Sequence, residues 1–234
     1  MSEPHFPNRL ATTADVEATR PDLPLDARVA QVVIREIVAG LHQPGSFIRE
    51  VELAARLGVS RPRVREALRN VYRAGFVRVE PWRGAQVASI SSKETRYLLD
   101  LMEANFSVVG ALAAENFPDS LFHVLDQELD LLRAAVRAGS LDQRVAVSFR
   151  LARTLSRNCS SLIADDLLTK VGNLVLWQHR FLAPDDLEPA ERSLAMMEAL
   201  VAAVRARDPD VAADCARNVI RITKRALLAA MPTD

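Results

Sequence analysis

Between Val51 and Gly84 the chain reads VELAARLGVSRPRVREALRNVYRAGFVRVEPWRG, and this stretch most limits what the chain can become. Val64, Ala67, Leu68 and Val71 recur at i, i+3, i+4 and i+7, an apolar stripe that predicts a helix over 61–74. Ser60 suits its N-cap, and Pro62 falls in the first turn, where a missing N–H costs no hydrogen bond. A shorter helix over 50–57 buries Leu53, Ala54 and Leu57 and stops at Gly58, a residue suited to the left-handed end of a helix. Only Gly58, Val59 and Ser60 separate the two helices.

That connection is a helix-turn-helix, in which the second helix enters the DNA major groove. Its polar face carries Arg61, Arg65 and Arg69, cations able to pair with guanine edges or neutralise phosphates. Arginine-rich helix faces are also ordinary solvated surfaces, so the flanking sequence decides. From Phe76 onward Val77 and Val79 alternate with Arg78 and Glu80, Pro81-Trp82-Arg83-Gly84 makes a turn, and Gln86-Val87-Ala88 returns. The expected hairpin is a wing, with Arg83 beside Gly84 at its tip.

The charge agrees. The chain is formally neutral, yet residues 25–90 hold 11 arginines against six acids, while residues 91–234 hold 17 basic against 20 acidic residues. Positive charge confined to the motif is the footprint of a DNA-binding domain joined to a domain with another task.

Residues 27–90 resemble the DNA-binding domain of the GntR family of bacterial transcription regulators. The matching residues are Leu53-Ala54, Leu57-Gly58-Val59-Ser60-Arg61, Val64-Arg65-Glu66-Ala67-Leu68, Gly75-Phe76-Val77 and Arg83-Gly84 with Val87. The chain departs from the family at Pro62-Arg63, where Thr-Pro is usual, and at Val51, where some members carry a DNA-contacting arginine that Arg49 would replace. The resemblance implies a DNA-contacting set of Arg49, Ser60, Arg61, Pro62, Arg63, Arg65, Arg69, Arg83 and Gly84.

Upstream, residues 1–24 carry four prolines and no lasting apolar period, and read as a flexible tail. Val29, Val33, Ile37 and Leu41 predict a further helix over 26–41. Downstream, residues 91–93 read as a linker, followed by helices over 93–116, 119–138, 142–157, 160–182, 187–206 and 209–230, with breaker or capping residues between them. The fold class is therefore mainly α: a winged helix-turn-helix of three helices and a hairpin over 25–90, then an antiparallel bundle of about six helices over 94–234.

This combination resembles the FadR-type branch of the GntR family, whose helical effector domain is called FCD. The matching residues there are Phe149, Asn158 with Leu162, Ala199-Leu200-Val201, Asp208 and Val211-Ala212. The resemblance implies a cytoplasmic homodimer, a palindromic double-stranded operator, and a small-molecule effector held in the bundle.

Many FCD domains hold a divalent metal with one aspartate and three histidines. Aligned on Phe149, Asn158 and Asp208, those positions fall at Ala146, Arg150, Met197 and Val219, none of them a usual metal ligand. No metal and no cofactor are expected. Asn105 is a further aligned pocket position, and Asn173 and His179, near Trp177 on one helix, complete the effector-pocket set, although a partly buried, hydrogen-bonded histidine is the commoner reading of His179. Arg150 offers an anchor for an anionic effector. Its spacing with Arg153 and Arg157 favours a solvated helix face instead.

No Gly-rich phosphate loop, nucleophile elbow, HExxH or CxxC occurs, so an enzyme is not expected, and Cys159 and Cys215 read as small apolar groups. No apolar run approaches the roughly 18 residues of a membrane span. Two readings stay open: a regulator controlled by an effector, and a DNA-binding dimer whose pocket is vestigial.

Overall fold

The computed structural model describes residues 10, 11, 13–17, 19, 22–80, 84–89, 91–182 and 188–230. The chain divides into two compact units, Met1–Ile90 and Ser91–Asp234.

In the first unit, α1 (Thr13–Glu17) precedes α2 (Leu25–Val38), β1 (Phe47–Ile48), α3 (Glu50–Leu57), α4 (Arg61–Arg73), β2 (Val77–Glu80) and β3 (Gly84–Val87). The apolar stripes do what their spacing implies: Val29, Val33 and Ile37 of α2 and Val64, Ala67 and Val71 of α4 are fully buried where the two helices pack. α3 ends at Gly58 with φ 64°, and Val59 then donates back to the Ala54 carbonyl. The sheet is antiparallel in the order β1-β3-β2, with Val77 opposite Val87 and Glu80 opposite Gly84. β1 is an addition to the expected hairpin, pairing Ile48 with Ala85. Two residues of strand are too short to show a period.

Within the segment expected to be a flexible tail, α1 packs on α2 and α3, while residues 1–9, 12, 18, 20 and 21 lie outside the described residues. Ala11 and Val16 are buried, and Arg28 Nε donates to the Val16 carbonyl at 2.9 Å. The polar centre of this docking is Glu36, whose side chain is inaccessible to solvent. It accepts from the Ala11 amide and from Arg56, and it contacts His42 Nε2 at 2.9 Å. Arg56 also donates to the Ala11 carbonyl. Burial pushes the Glu36 carboxyl up, but the His42, Arg56 and Ala11 hydrogen bonds outweigh it and hold the group below its ordinary value.

Among the described residues the second unit holds six α-helices: α5 (Ser92–Asn116), α6 (Phe122–Arg137), α7 (Leu141–Arg157), α8 (Leu162–Leu182), α9 (Glu188–Arg205) and α10 (Pro209–Ala230). The expected linker is absorbed into α5, because Ser91 accepts from the Glu94 amide as an N-cap. The helix expected from residue 119 opens instead with a 3-10 turn at Asp119–Leu121. α5 runs through the core, burying Leu99, Phe106, Val109 and Ala113 completely. It is the described helix whose length and composition would suit a membrane span, and half of that stretch is buried within the bundle. α10 lies along it so closely that a Cβ on Gly110 would sit 2.7 Å from the Ala212 carbonyl oxygen.

Candidate nucleic-acid interface and effector cavity

One face of the first unit is a groove between the start of α3, the exposed side of α4 and the sheet, and it brings together Arg49, Arg61, Arg65, Arg69 and Gly84. α4 sets the row: its apolar stripe is turned inward, so positions 61, 65 and 69 emerge one turn apart on the outside. Arg65 is held by Glu50 of α3, its Nε donating at 3.1 Å and its Nη2 at 2.9 Å to the two carboxylate oxygens. That guanidinium keeps the Glu50 carboxyl below its ordinary value. Arg69 pairs with Glu66 one turn back, and Arg49 with Glu52 at 3.3 Å. Arg61 makes no ion pair among the described residues. It is an exposed cation at the start of the helix, where a groove-inserted helix meets bases and phosphates.

The remaining expected contacts have different surroundings. Ser60 occupies the N-cap position without a side-chain capping bond, and Pro62 is exposed in the first turn. Arg63 turns toward α2, 3.5 Å from Asp26, and does not line the groove. Val51 does line it, 58% exposed. Gly84 has φ 99°, a backbone state that favours glycine, at the start of β3. Arg83 lies outside the described residues, as do Pro81 and Trp82.

The second unit holds a cavity of about 100 Å³, partly open to solvent, walled by α5, α7, α8, α9 and α10. Met102, Phe106, Phe149, Val175, Met197 and Val219 make it mainly apolar. Of the residues assigned from the alignment, Met197 and Val219 line this space. Asn105 does not: it is buried and donates to the Ala164 carbonyl at 3.2 Å. Asn173 is also absent from the lining, and the side chain of His179 lies outside the described residues.

α7 departs most from the alignment. Ala146 and Arg150 are not on the cavity wall; Arg144, Val145, Ser148 and Phe149 are. Arg150 instead sits 3.4 Å from Glu128 of α6, and Thr154 donates to the same carboxylate oxygen at 3.0 Å. Burial raises the Glu128 carboxyl, against the Thr154 hydrogen bond and the Arg150 charge. Phe149 fits because α8 carries Gly172 opposite it, where a Cβ would lie 2.2 Å from the ring. Gly172 had no distinguishing signal in the sequence.

The lining does not suit a divalent metal. Among the described residues no group of three or more His, Cys, Asp or Glu is placed to hold one, and the cavity presents the cation of Arg144. His123 is exposed, His42 belongs to the Glu36 cluster, and Cys159 and Cys215 are free thiols.

Residues 25–87 match the family described as bacterial regulatory proteins, gntR family, and residues 107–221 match the FCD domain. The chain belongs to the GntR family. Its GntR head and FCD bundle make it a DNA-binding transcription regulator with an effector-binding domain. Among similar proteins, the HTH-type transcriptional repressor RspR of Escherichia coli is 26% identical over 190 residues, 81% of this chain and 83% of that protein. The gluconate operon transcriptional repressor of Bacillus licheniformis is 25% identical over 188 residues, 79% of this chain and 77% of that protein. Among solved structures, E. coli McbR/YncC superposes with a TM-score of 0.72 at 19% identity, covering 88% of this chain and 98% of that one. A GntR regulator from Rhodococcus sp. RHA1 gives 0.70 at 20% identity, covering 88% and 99%. At these identities the structural likeness establishes the fold of the GntR regulator alone.

Proposed function

We propose that this GntR regulator acts in the cytoplasm as a homodimer on a palindromic operator, and that a small organic effector in the bundle cavity modulates its operator affinity. Arg61, Arg65 and Arg69 enter the major groove, Arg49, Ser60, Pro62 and Arg63 flank them, and Arg83-Gly84 serve the wing. The observation that carries this reading is the groove that gathers four of these arginines and Gly84 on one exposed face. Repression is the mode suggested by the names of the two relatives given above.

A second copy of the chain is supported by apolar side chains left outside the bundle. Leu162 and Ile163 at the start of α8 are 89% and 82% exposed, and Leu101 and Val108 of α5 are more than half exposed. The Asn105–Ala164 hydrogen bond brings these rows side by side. Contiguous apolar surface of this kind marks an association face, and a two-fold dimer presents two recognition helices to successive major grooves.

Selection of bound fragments from genomic DNA tests the proposal. The expected product is a dyad-symmetric site with half-sites spaced by about one helical turn, roughly 10 base pairs, or a multiple of it. Binding should weaken steeply with salt as phosphate contacts release counterions. Fragments without dyad symmetry, bound with salt-independent affinity, would refute it.

A further inference from the structure

Two faces of α7 use arginine differently. Arg150 and Arg153 are half-buried beside carboxylates, Glu128 at 3.4 Å and Asp165 at 3.6 Å. Arg144 lies on the other face, one turn from Ser148 and two from Ala152, and this row borders the cavity. Arg144 is also half-buried, but its guanidinium makes no ion pair or hydrogen bond among the described residues. Burial alone pushes its pKa down, and no carboxylate opposes the shift. A desolvated cation without a counter-ion is costly, and a bound anion offsets that cost.

We infer that Arg144 anchors the carboxylate of an organic effector whose apolar body fills the cavity between Phe106, Phe149, Val175 and Val219. This rests on the reading of the cavity as the effector site and names the class of ligand it takes. A guanidinium fork matches a carboxylate with two parallel hydrogen bonds, so it holds the anion directly without a metal. The walls specify the remainder of the ligand. Ser148, Ser193 and Thr223 supply a few hydroxyls among apolar side chains, enough to orient one polar substituent. The hydroxyl groups of a sugar acid would lose water there without finding partners. The class is an alkyl or aryl-alkyl monocarboxylate.

The test is calorimetry and thermal unfolding of the full-length protein in buffer containing EDTA. The probes are octanoate, phenylbutyrate, their two primary amides and gluconate. Both monocarboxylates should bind about tenfold or more tightly than their amides and raise the unfolding temperature; gluconate should do neither. Arg144→Gln should abolish the preference for carboxylate over amide while retaining amide binding, and should raise the unfolding temperature of the unliganded protein. Arg150→Ala should leave the preference intact. Equal binding of acids and amides, or a preference that survives Arg144→Gln, overturns the anchor and leaves the cavity as the effector site. Binding by none of the five probes, or by gluconate in preference to the others, shows that the ligand class is wrong. The cavity reading fails separately if the cavity-filling Ser148→Phe leaves bound probes undisturbed.

Discussion

Arg65 on the recognition helix is gripped by both carboxylate oxygens of Glu50 on the preceding helix, at 3.1 and 2.9 Å. The contact joins residues 15 positions apart and fixes a side chain otherwise free to sweep the groove. A guanidinium has five N–H donors. The two committed to Glu50 set the plane of the others, which stay on the groove side.

Glu50→Ala should therefore separate affinity from specificity. Removing an acid from the groove favours any duplex electrostatically, while a loosened Arg65 discriminates less, so the operator-to-scrambled affinity ratio should fall about tenfold. Arg65→Ala should weaken operator binding and reduce its salt dependence. Fluorescence anisotropy with operator and scrambled duplexes over a salt series measures both. Thermal stability should change little in either variant, because exposed ion pairs contribute little to folding.

Acid should loosen the DNA-binding unit through Glu36. Its folded-state pKa lies below the ordinary value, so the unfolded chain takes up the proton first as pH falls. The stabilisation is complete above the ordinary glutamate range and is lost as pH drops through the lower folded value. Glu36→Gln should flatten that acid limb and cost about 3 kcal/mol at neutral pH by breaking the buried pair with Arg56. Hydrogen exchange of α1 and α2 in the full chain, followed against pH, reads out the effect.

Gly110→Ala should destabilise the bundle even though alanine favours a helix by about 1 kcal/mol. The new methyl would meet the Ala212 carbonyl oxygen at 2.7 Å and the Ala216 Cβ at 3.0 Å. Backbone of a packed helix yields poorly, so the overpacking cost of about 2–3 kcal/mol exceeds the gain. Gly110→Val should cost more. Urea unfolding followed by circular dichroism gives the difference.

Gly172→Ala should have the opposite balance. Its methyl would meet only the edge of the Phe149 ring, and a side chain on the cavity wall can move into empty space. Stability should stay within about 1 kcal/mol of the parent, as helix propensity offsets the strain. The ring then occupies ligand volume, and binding of any cavity ligand should weaken at least several-fold by calorimetry.

Local chemistry made the head legible. Val64, Ala67, Leu68 and Val71 specify which side of α4 turns inward, Gly58 ends α3, and Val77 and Val79 begin the wing strand, although Val77 is buried and Val79 exposed; each signal lies within a few residues of its consequence. α1 has five residues and no apolar period, and its order depends on Glu36 and Arg56, 25 and 45 positions beyond Ala11. Such partners are invisible to a local reading.

The cavity divides in the same way. Sequence by itself determined six amphipathic helices, an arginine-rich α7 and the absence of the usual metal ligands at the aligned positions. It did not determine what each arginine meets: Arg144 and Arg150 are six positions apart, about two-thirds of a helical turn out of phase, and so face different neighbours. Helical phase sets Arg144 among Leu141, Val145, Phe149, Ala152 and Leu155, and Arg150 with Arg153 and Arg157 on the other side, but names none of the groups that these faces meet. Tertiary packing chose: Glu128 of α6 engages Arg150, Gly172 of α8 admits the Phe149 ring, and Arg144 is left on the cavity wall.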